Sequence, residues 1–348
     1  MLPELRTSDR GGKPAVECYQ TSNGVLIFRL PMEVFAGYIA YAHLIVAEGA
    51  MTLIDAGSGL GTSHHDLVAG FEVVRGKYGV KARLEDLDRI IITHGHIDHF
   101  GGLAQVKEIA ARAKVGIHEL DRTALANYDE RVLVTSRRLA EFLQRAGVPA
   151  ERFQPLLDMY MIGKRGLRPV PVDFILRDGE MIEGLLETIH VPGHTPGLVM
   201  IRVDDVLLTA DHILPQTSVV LAPESLMAYT GVGHYLESLQ RAAKVDGVRL
   251  ALGGHEQAMD AYHEVVQRTY AASIQKIERV LEECGQPSTI YELACRIYGC
   301  LDGYAELLKI EQIGARVEYL HQRGQVMIEN LDALEHDGLT PIRYTRMR

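Results

Sequence analysis

Residues 90–102 read IIITHGHIDHFGG, a β-branched apolar run followed by His94, His96, Asp98 and His99. The three isoleucines predict a short buried strand that ends where the histidines begin. Alternate side chains of extended backbone point the same way, so His94 and His96 can face one metal ion. A turn after them would present Asp98 and His99 to a neighbouring position. The stretch therefore predicts a metal site at the carboxyl end of a strand.

Three further candidate ligands occur downstream, each beside a predicted strand. His194 lies in VPGHTPG, Asp211 in LLTADH and His255 in LALGGHE. Imidazole and carboxylate ligands without a thiolate favour zinc, although iron and manganese accept the same nitrogen and oxygen donors. The sequence thus predicts a metal site built from seven residues of four separate segments.

The order of apolar segments predicts an α/β fold. A β-rich region at 25–55 precedes a helix at 63–78, a strand at 87–93, a helix at 102–113 and the strand KVGIH. A second series contains the strands ETIHV, LVMIRV, DVLLTAD and VRLALGG, with a helix near 233–243 and a long helix from Glu256. Two such halves are typical of sheets covered by helices.

Two regions lie outside this α/β pattern. Residues 119–172 are polar and helix-forming, which predicts an inserted pair of helices of the kind that shapes a substrate pocket. From about residue 270, three amphipathic segments precede VMIEN and PIRYTR, two short strands around an HDG turn, and Ser288 is expected to begin the middle helix. This is the outline of a winged helix. The predicted domains are a catalytic domain at 1–265 and a winged-helix-like domain at 266–348.

Composition and charge narrow the class of protein, its expected location and its expected partners. The 348 residues are 47% hydrophobic and 24% charged, the balance of a globular chain, and the formal net charge is −10. No signal peptide or membrane span is predicted, so a cytoplasmic location is expected. The net negative charge disfavours a nucleic-acid partner. Reduced thiols are expected for the four cysteines because they lack paired C-x-x-C spacing: Cys18, Cys284, Cys295 and Cys300.

The motifs THGHIDHFGG, GHTPG, TADH and GGHE occur in the order found in the metallo-β-lactamase-fold hydrolases, which the sequence resembles over about residues 22–260. The resemblance implies an αββα sandwich with two metal ions in a cleft at one edge of the two sheets. It implies that Asp211 bridges the two ions. It also implies two groups of three further ligands, which are His94, His96 and His194 for the first ion and Asp98, His99 and His255 for the second.

Two zinc ions per chain would supply a bridging hydroxide as the nucleophile, because metal binding lowers the pKa of water to about 7. Asp98 is expected to orient that hydroxide and to shuttle a proton. Asp55, in IDAGSG, either hydrogen-bonds a ligand histidine or forms a turn. Phe35 and Tyr38, and Met159 and Tyr160, either line a substrate pocket or pack locally.

The subfamily pattern is mixed. Glyoxalase II-like enzymes usually carry a further histidine after GHTPG, where this chain has Leu198, and its last motif is GGHE rather than PGHG. A catalytic domain followed by a winged helix is similar to the lactamase-like endoribonuclease group. However, residues 270–348 hold nine Lys and Arg against twelve Asp and Glu, a net charge of −3, which does not predict a basic recognition surface. Packing beside the cleft is the favoured role for this region.

The working hypothesis is hydrolysis of a small ester, thioester or lactone. The enzyme alternative is a phosphodiesterase or single-strand endoribonuclease. The alternative from another class is a ligand-binding or regulatory protein that has lost turnover. A small-molecule substrate is the expected partner, and the oligomeric state is left open.

Overall fold

Two β-sheets form the centre of the computed structural model, which describes residues 13–162, 164, 166–299 and 302–347. In the first sheet, seven strands follow one another in chain order, antiparallel up to β4 and parallel from β4 to β7. Its strands are β1 (Glu17–Gln20), β2 (Leu26–Phe35), β3 (Tyr38–Ala47), β4 (Ala50–Ile54), β5 (Arg89–Ile91), β6 (Lys114–His118) and β7 (Phe174–Leu176).

The second sheet has five strands in the order β12-β11-β10-β9-β8. Neighbouring strands are antiparallel except β11 and β12, which run parallel. Because these two strands are parallel, their carboxyl ends meet at the same edge. The strands are β8 (Met181–Ile182), β9 (Leu186–His190), β10 (Val199–Val203), β11 (Val206–Ala210) and β12 (Leu250–Gly253).

Helices cover the outer faces of both sheets. The α-helices before residue 243 are α1 (Ser63–Tyr78), α2 (Ile97–Phe100), α3 (Leu103–Ile109), α4 (Arg122–Ala126), α5 (Tyr128–Arg145), α6 (Ala150–Met161) and α7 (Val232–Ala242). The later helices are α8 (Tyr262–Glu283), α9 (Ile290–Tyr298), α10 (Gly303–Gln322) and α11 (Leu331–His336). The predicted pair of helices in the insertion corresponds to α5 and α6.

Side chains that point alternately to the two faces of each strand divide the apolar core into layers. Ile27 on β2 and Ile54 on β4 point between the sheets and pack in one cluster with Ile201 and Leu252 of the second sheet. Phe28, the next residue along β2, points to the opposite face, where α1 and α3 cover the sheet. Successive strand residues face opposite sides, so each strand contributes to two layers. The result is the expected αββα sandwich, with helices outside two facing sheets.

The insertion and the C-terminal helices share one apolar cluster on the outer face of the second sheet. Leu143 of α5 and Leu156 of α6 are buried there with Leu293 of α9 and Ile310 of α10. The cluster continues into the sheet through Leu207. The inserted helices are therefore held between the sandwich and the C-terminal region.

The C-terminal region contains α8 to α11 and a two-stranded antiparallel sheet, β13 (Val326–Ile328) and β14 (Tyr344–Arg346). The connection between these strands contains the helix α11 followed by a turn at 338–339, so the expected HDG turn is present but follows a helix that the sequence did not predict. The assignment to the winged-helix class stays a prediction. So does the division at 265/266, which α8 crosses as a continuous helix.

Two helix starts differ from the sequence expectation. Thr289, rather than Ser288, caps α9, since its hydroxyl accepts from the Glu292 N–H while the Glu292 carboxylate accepts from the Thr289 N–H. Three residues separate Thr289 from Glu292, which is the spacing of a capping box. The long helix α8 begins at Tyr262 instead of Glu256, because Met259 first forms a backbone bridge with Ala251.

None of the helices in the described part of the chain combines the length and apolarity needed to cross a membrane. Cys18, Cys284 and Cys295 are free thiols there, as expected, whereas Cys300 lies outside the described residues.

Candidate metal centre

The candidate ligands converge at one edge of the sandwich because strands from both sheets end there. Asp211 follows β11 directly, and His255 lies two residues beyond β12. His94 follows β5, and His96 keeps extended backbone, with φ of −95° and ψ of 146°. The helix α2 begins at the next residue and carries Asp98 and His99 on its single turn.

The seven side chains form two groups, and within each group the candidate ligand atoms lie within 4.8 Å of one another. The first group consists of His94, His96 and His194. The second consists of Asp98, His99, Asp211 and His255. The structure therefore brings together all seven residues that the sequence singled out, with Asp211 in the second group.

Asp211 lies between the two groups. Its Oδ2 atom is 3.9 Å from Nε2 of His94 and 3.7 Å from Nε2 of His194. Its Oδ1 atom is 3.3 Å from Nε2 of His99, and Oδ2 is 3.4 Å from Nε2 of His255. One carboxylate thus faces imidazoles of both groups, which is the position that a bridging ligand needs.

The donor set fits a metal site. Within the described residues, the buried Nε2 atoms of His94, His99, His194 and His255, and Oδ1 of Asp211, lack a hydrogen-bond partner of acceptable geometry. Buried polar atoms seldom remain unpaired, and here five of them converge on the same space. Imidazole nitrogen and carboxylate oxygen are preferred zinc ligands, so bound metal would satisfy them.

The opposite ring nitrogens of these histidines are held in place. Nδ1 of His194 lies 2.8 Å from the Val220 carbonyl oxygen, and Nδ1 of His255 lies 2.7 Å from the Ile39 carbonyl oxygen. An Nδ1–H that donates to a carbonyl leaves Nε2 unprotonated and aimed into the site. The protein therefore fixes both the direction and the tautomer that metal binding requires.

The buried carboxylates of the centre favour positive charge next to them. Burial, reinforced by neighbouring imidazoles, holds the pKa of His94 and of His96 well below the ordinary value. Burial also opposes a charge on His255, but Asp211 and Asp98 outweigh it and raise its pKa to about 10. Burial opposes ionisation of Asp98 as well, yet His99 and His255 hold its pKa at about 2. The buried carboxylates thus require positive charge, which metal ions would supply.

Asp55 makes the contact to a ligand histidine that the sequence left open. Its Oδ2 atom lies 2.8 Å from Nδ1 of His99 and accepts from the Thr93 hydroxyl at 2.9 Å, while Oδ1 accepts from the Thr93 N–H at 2.8 Å. The residue also has a φ of 63°, so it forms a turn as well. Both interpretations of Asp55 hold, and its main contact orients His99.

Replacing Asp55 by Asn should weaken metal binding without unfolding the protein. The amide keeps the shape but removes the negative charge that fixes the His99 ring, and loss of such a partner typically costs about 10–100-fold in metal affinity. Competition with a chromophoric chelator measures this change. The exposed Asp86→Asn serves as the control, and unchanged affinity in Asp55→Asn would contradict the positioning role.

Sequence reasoning missed Asp121, a fully buried carboxylate next to the first metal group. Its Oδ2 atom accepts from the Gly95 N–H at 3.0 Å and from the Thr195 hydroxyl at 2.7 Å. Oδ1 lies 3.7 Å from Nη1 of Arg131. Asp121 therefore ties the loop of His94 and the loop of His194 together. Its place just after β6 was a signal, but its partners were not visible in the sequence.

A polar wall from the insertion and from α10 stands beside the centre. Arg131 approaches Gly95 so closely that a Cβ atom there would lie 2.5 Å from Nη1. Nζ of Lys164 lies 2.9 Å from the centroid of the Tyr160 ring. Burial lowers the pKa of Lys164 to about 7 and raises that of Glu311, on α10, to about 7, while each charge favours ionisation of the other.

The four candidate residues for lining a substrate pocket lie in different environments. The Tyr38 ring contacts the His255 ring at 4.6 Å between centroids, with the planes tilted by 33°, so it borders the metal centre. Tyr160 belongs to the polar wall beneath Lys164. Phe35 packs on the apolar cluster of the first sheet, and Met159 is half-buried in α6.

Two facing sheets with a His and Asp cluster at one edge define a class of metal-binding hydrolases, and comparison with known proteins agrees. The model of the metallo-beta-lactamase superfamily matches residues 36–255. The chain belongs to that superfamily. Among curated proteins, it is 29% identical over 122 residues to hydroxyacylglutathione hydrolase GloC of Haemophilus influenzae, covering 33% of this chain. The match spans 45% of the relative's length.

Solved structures with the same fold cover nearly the whole chain. A metallo-beta-lactamase family protein from Thermus thermophilus is 22% identical, with a TM-score of 0.73 over 92% of this chain and 98% of its own. A beta-lactamase domain protein from Burkholderia ambifaria is 20% identical, with a TM-score of 0.73 over 95% and 94%. At these identities, the similarity establishes the fold.

Proposed function

We propose that the protein is a hydrolase that uses two zinc ions, with His94, His96 and His194 holding the first, Asp98, His99 and His255 the second, and Asp211 bridging them. The observation that carries the proposal is the convergence of four buried, unpaired Nε2 atoms around a carboxylate that faces both groups. Iron or manganese would suit the same donors, so zinc is the favoured ion on ligand chemistry alone.

Bound metal ions would supply a water of lowered pKa and positive charge for the oxyanion that develops during hydrolysis. The chain's own residues supply direction and proton transfer. Asp98 is 15% exposed at its side chain, with Oδ2 3.3 Å from Nε2 of His255. A carboxylate at this depth can accept a proton from the attacking water and return it to the leaving group.

We propose a small ester, thioester or lactone as the substrate. The curated relative is named as a hydrolase of hydroxyacylglutathione, an acyl derivative of a small thiol, which supports acyl transfer to water. The wall of Arg131, Tyr160 and Lys164 would bind polar groups of a small molecule beside the centre. The net charge of −3 on residues 270–348 disfavours an extended nucleic acid.

The C-terminal region fits a supporting role in this proposal. Glu311 and Tyr304 lie on α10, and the charge of Asp98 contributes with burial and Glu311 to raising the pKa of Tyr304. Part of α10 therefore lies near the metal centre. We propose that residues 266–348 complete the substrate pocket of a catalytic unit formed by residues 1–265.

A substrate panel tests the proposed reaction. The zinc-loaded protein should hydrolyse members of a set of acyl thioesters, esters and lactones in preference to bis-p-nitrophenyl phosphate and short single-stranded RNA. Preferential cleavage of RNA or of the phosphodiester would replace the proposal with the nuclease alternative. Absence of turnover on the whole panel, with two metals bound per chain, would favour the ligand-binding alternative.

The assignment of ligands to two groups predicts unequal metal losses. His255→Ala should retain about one metal per chain, because His94, His96 and His194 remain complete. Elemental analysis of the purified variant gives the metal content directly, and His263→Ala provides a control on α8. Two metals per chain in His255→Ala would contradict its assignment as a ligand.

A further inference from the structure

A polar cavity separate from the metal centre lies behind the loop of residues 214–221, whose Val220 carbonyl accepts from His194. It has a volume of about 180 Å³ and opens between residues 214–221 and the helices α8 and α10. Its cationic lining residues are Arg268, Lys276 and Arg316, and hydroxyls of Thr217 and Ser273 lie with them. No aspartate or glutamate is among the described lining residues. The cavity is therefore cationic although the protein as a whole is acidic.

Arg316 is the unusual member of this lining. It is only 4% exposed, and its recorded hydrogen bond goes to the Gln312 carbonyl on its own helix. Among the residues that the structure describes, it forms no ion pair with a carboxylate within 4.0 Å. A buried cation without a counter-ion is unfavourable, because desolvation is not offset by a nearby negative charge.

Lys276 adds a second positive charge near Arg316. Its Nζ donates to the Ser218 hydroxyl, and Arg316 is close enough that, together with burial, its charge lowers the pKa of Lys276. Glu256 accepts hydrogen bonds from the N–H groups of Gln216 and Thr217 at 2.7 and 3.0 Å, but it does not line the cavity. Two neighbouring cations in a cavity that is also lined by hydroxyl groups are suited to an oxyanion.

We propose that this cavity binds a tetrahedral oxyanion of the phosphate class, with Arg316 and Lys276 as its charged ligands. The exposed Arg268 stands at the cavity and donates to the Pro215 carbonyl at 3.0 Å, which leaves the rest of its guanidinium for the anion. The ligand is either free phosphate or the phosphoryl group of a small molecule.

The position of the cavity connects it with the metal centre. Val219 and Leu221 line it, and the carbonyl of the residue between them, Val220, accepts from Nδ1 of His194. Tyr235 also lines the cavity and donates to the carbonyl of His212, the neighbour of Asp211. A bound anion would stabilise the segment that orients a metal ligand.

Isothermal titration calorimetry of the metal-loaded protein with inorganic phosphate tests the proposal, at ionic strength matched with sodium chloride. Phosphate can also bind at the metal centre, so the informative comparison is between variants. Arg316→Met should weaken one class of phosphate site by about tenfold or more, because charged hydrogen bonds are removed. Arg279→Met, at an exposed position of α8, should bind as the unaltered protein does.

Lys276→Met provides a second test that does not depend on a fully buried position, and it should weaken the same site. A parallel titration with glycerol 3-phosphate distinguishes free phosphate from a phosphoryl group, and Arg316-dependent binding of either one supports the site. Equal phosphate affinity and stoichiometry in the unaltered protein and in both cavity variants would overturn the proposal. Lack of binding by the unaltered protein at millimolar concentrations would overturn it too.

Discussion

Asp211→Ala is expected to lose most of the bound metal and nearly all hydrolytic activity. The Asp211 carboxylate faces imidazoles of both groups, at 3.3 to 3.9 Å, so its removal should affect both proposed metal positions. A metal-bound water and its charge stabilisation contribute several kcal/mol, and loss of about 4 kcal/mol corresponds to about 10³-fold in rate. The expected decrease in kcat/KM is therefore about a thousandfold or more.

Elemental analysis and steady-state kinetics on the same preparation measure this effect. Asp260→Asn, at an exposed position, serves as the control for substitution of an aspartate. Circular dichroism establishes whether the variant keeps its secondary structure. Two metals per chain in a folded Asp211→Ala protein would contradict the bridging role.

Asp98→Asn should separate metal binding from proton transfer. The amide can still offer an oxygen toward the second group, but it carries no charge and cannot accept a proton at neutral pH. General acid–base catalysis typically contributes about 10²–10⁴-fold, so kcat should decrease by that amount when the variant is saturated with zinc. The first group does not include Asp98, so its metal should remain bound.

Zinc titration followed by single-turnover kinetics tests this prediction, because it measures chemistry at known metal content. The control is Asp55→Asn under the same saturating zinc, where we expect much of the activity to return. Full kcat in zinc-saturated Asp98→Asn would show that this carboxylate transfers no proton in the rate-limiting step.

Local patterns in the sequence predicted sheets covered by helices and the ligand cluster, whereas the αββα sandwich was implied by the family resemblance. Buried strands such as IIIT are continuous apolar runs, and the ligands stand where those runs end. The four-residue strand β1 has no such pattern, since ECYQ has two half-buried central residues between exposed ends and lies at the sheet edge. Pairing with β2, a long-range contact, decides its conformation.

The groups that orient the candidate metal ligands by hydrogen bonds could not be predicted in the same way. The acceptors for His194 and His255 are backbone carbonyls of Val220 and Ile39, and any residue type offers a carbonyl. Asp121 joins two loops that are distant in the chain, so its partners become visible only after folding. For the same reason, the sequence did not predict the burial of Arg316, which results from the packing of α10 on α8 and the 214–221 loop.

The central claim is that two catalytic metal ions are held by His94, His96, Asp98, His99, His194, Asp211 and His255. Stepwise addition of zinc to the metal-free protein, with bound zinc and thioester hydrolysis measured at every step, tests it most directly. We predict saturation at two zinc ions per chain and full hydrolytic activity only when the second ion is bound. Saturation at one zinc per chain or fewer, or hydrolysis that does not depend on added metal, would contradict the claim.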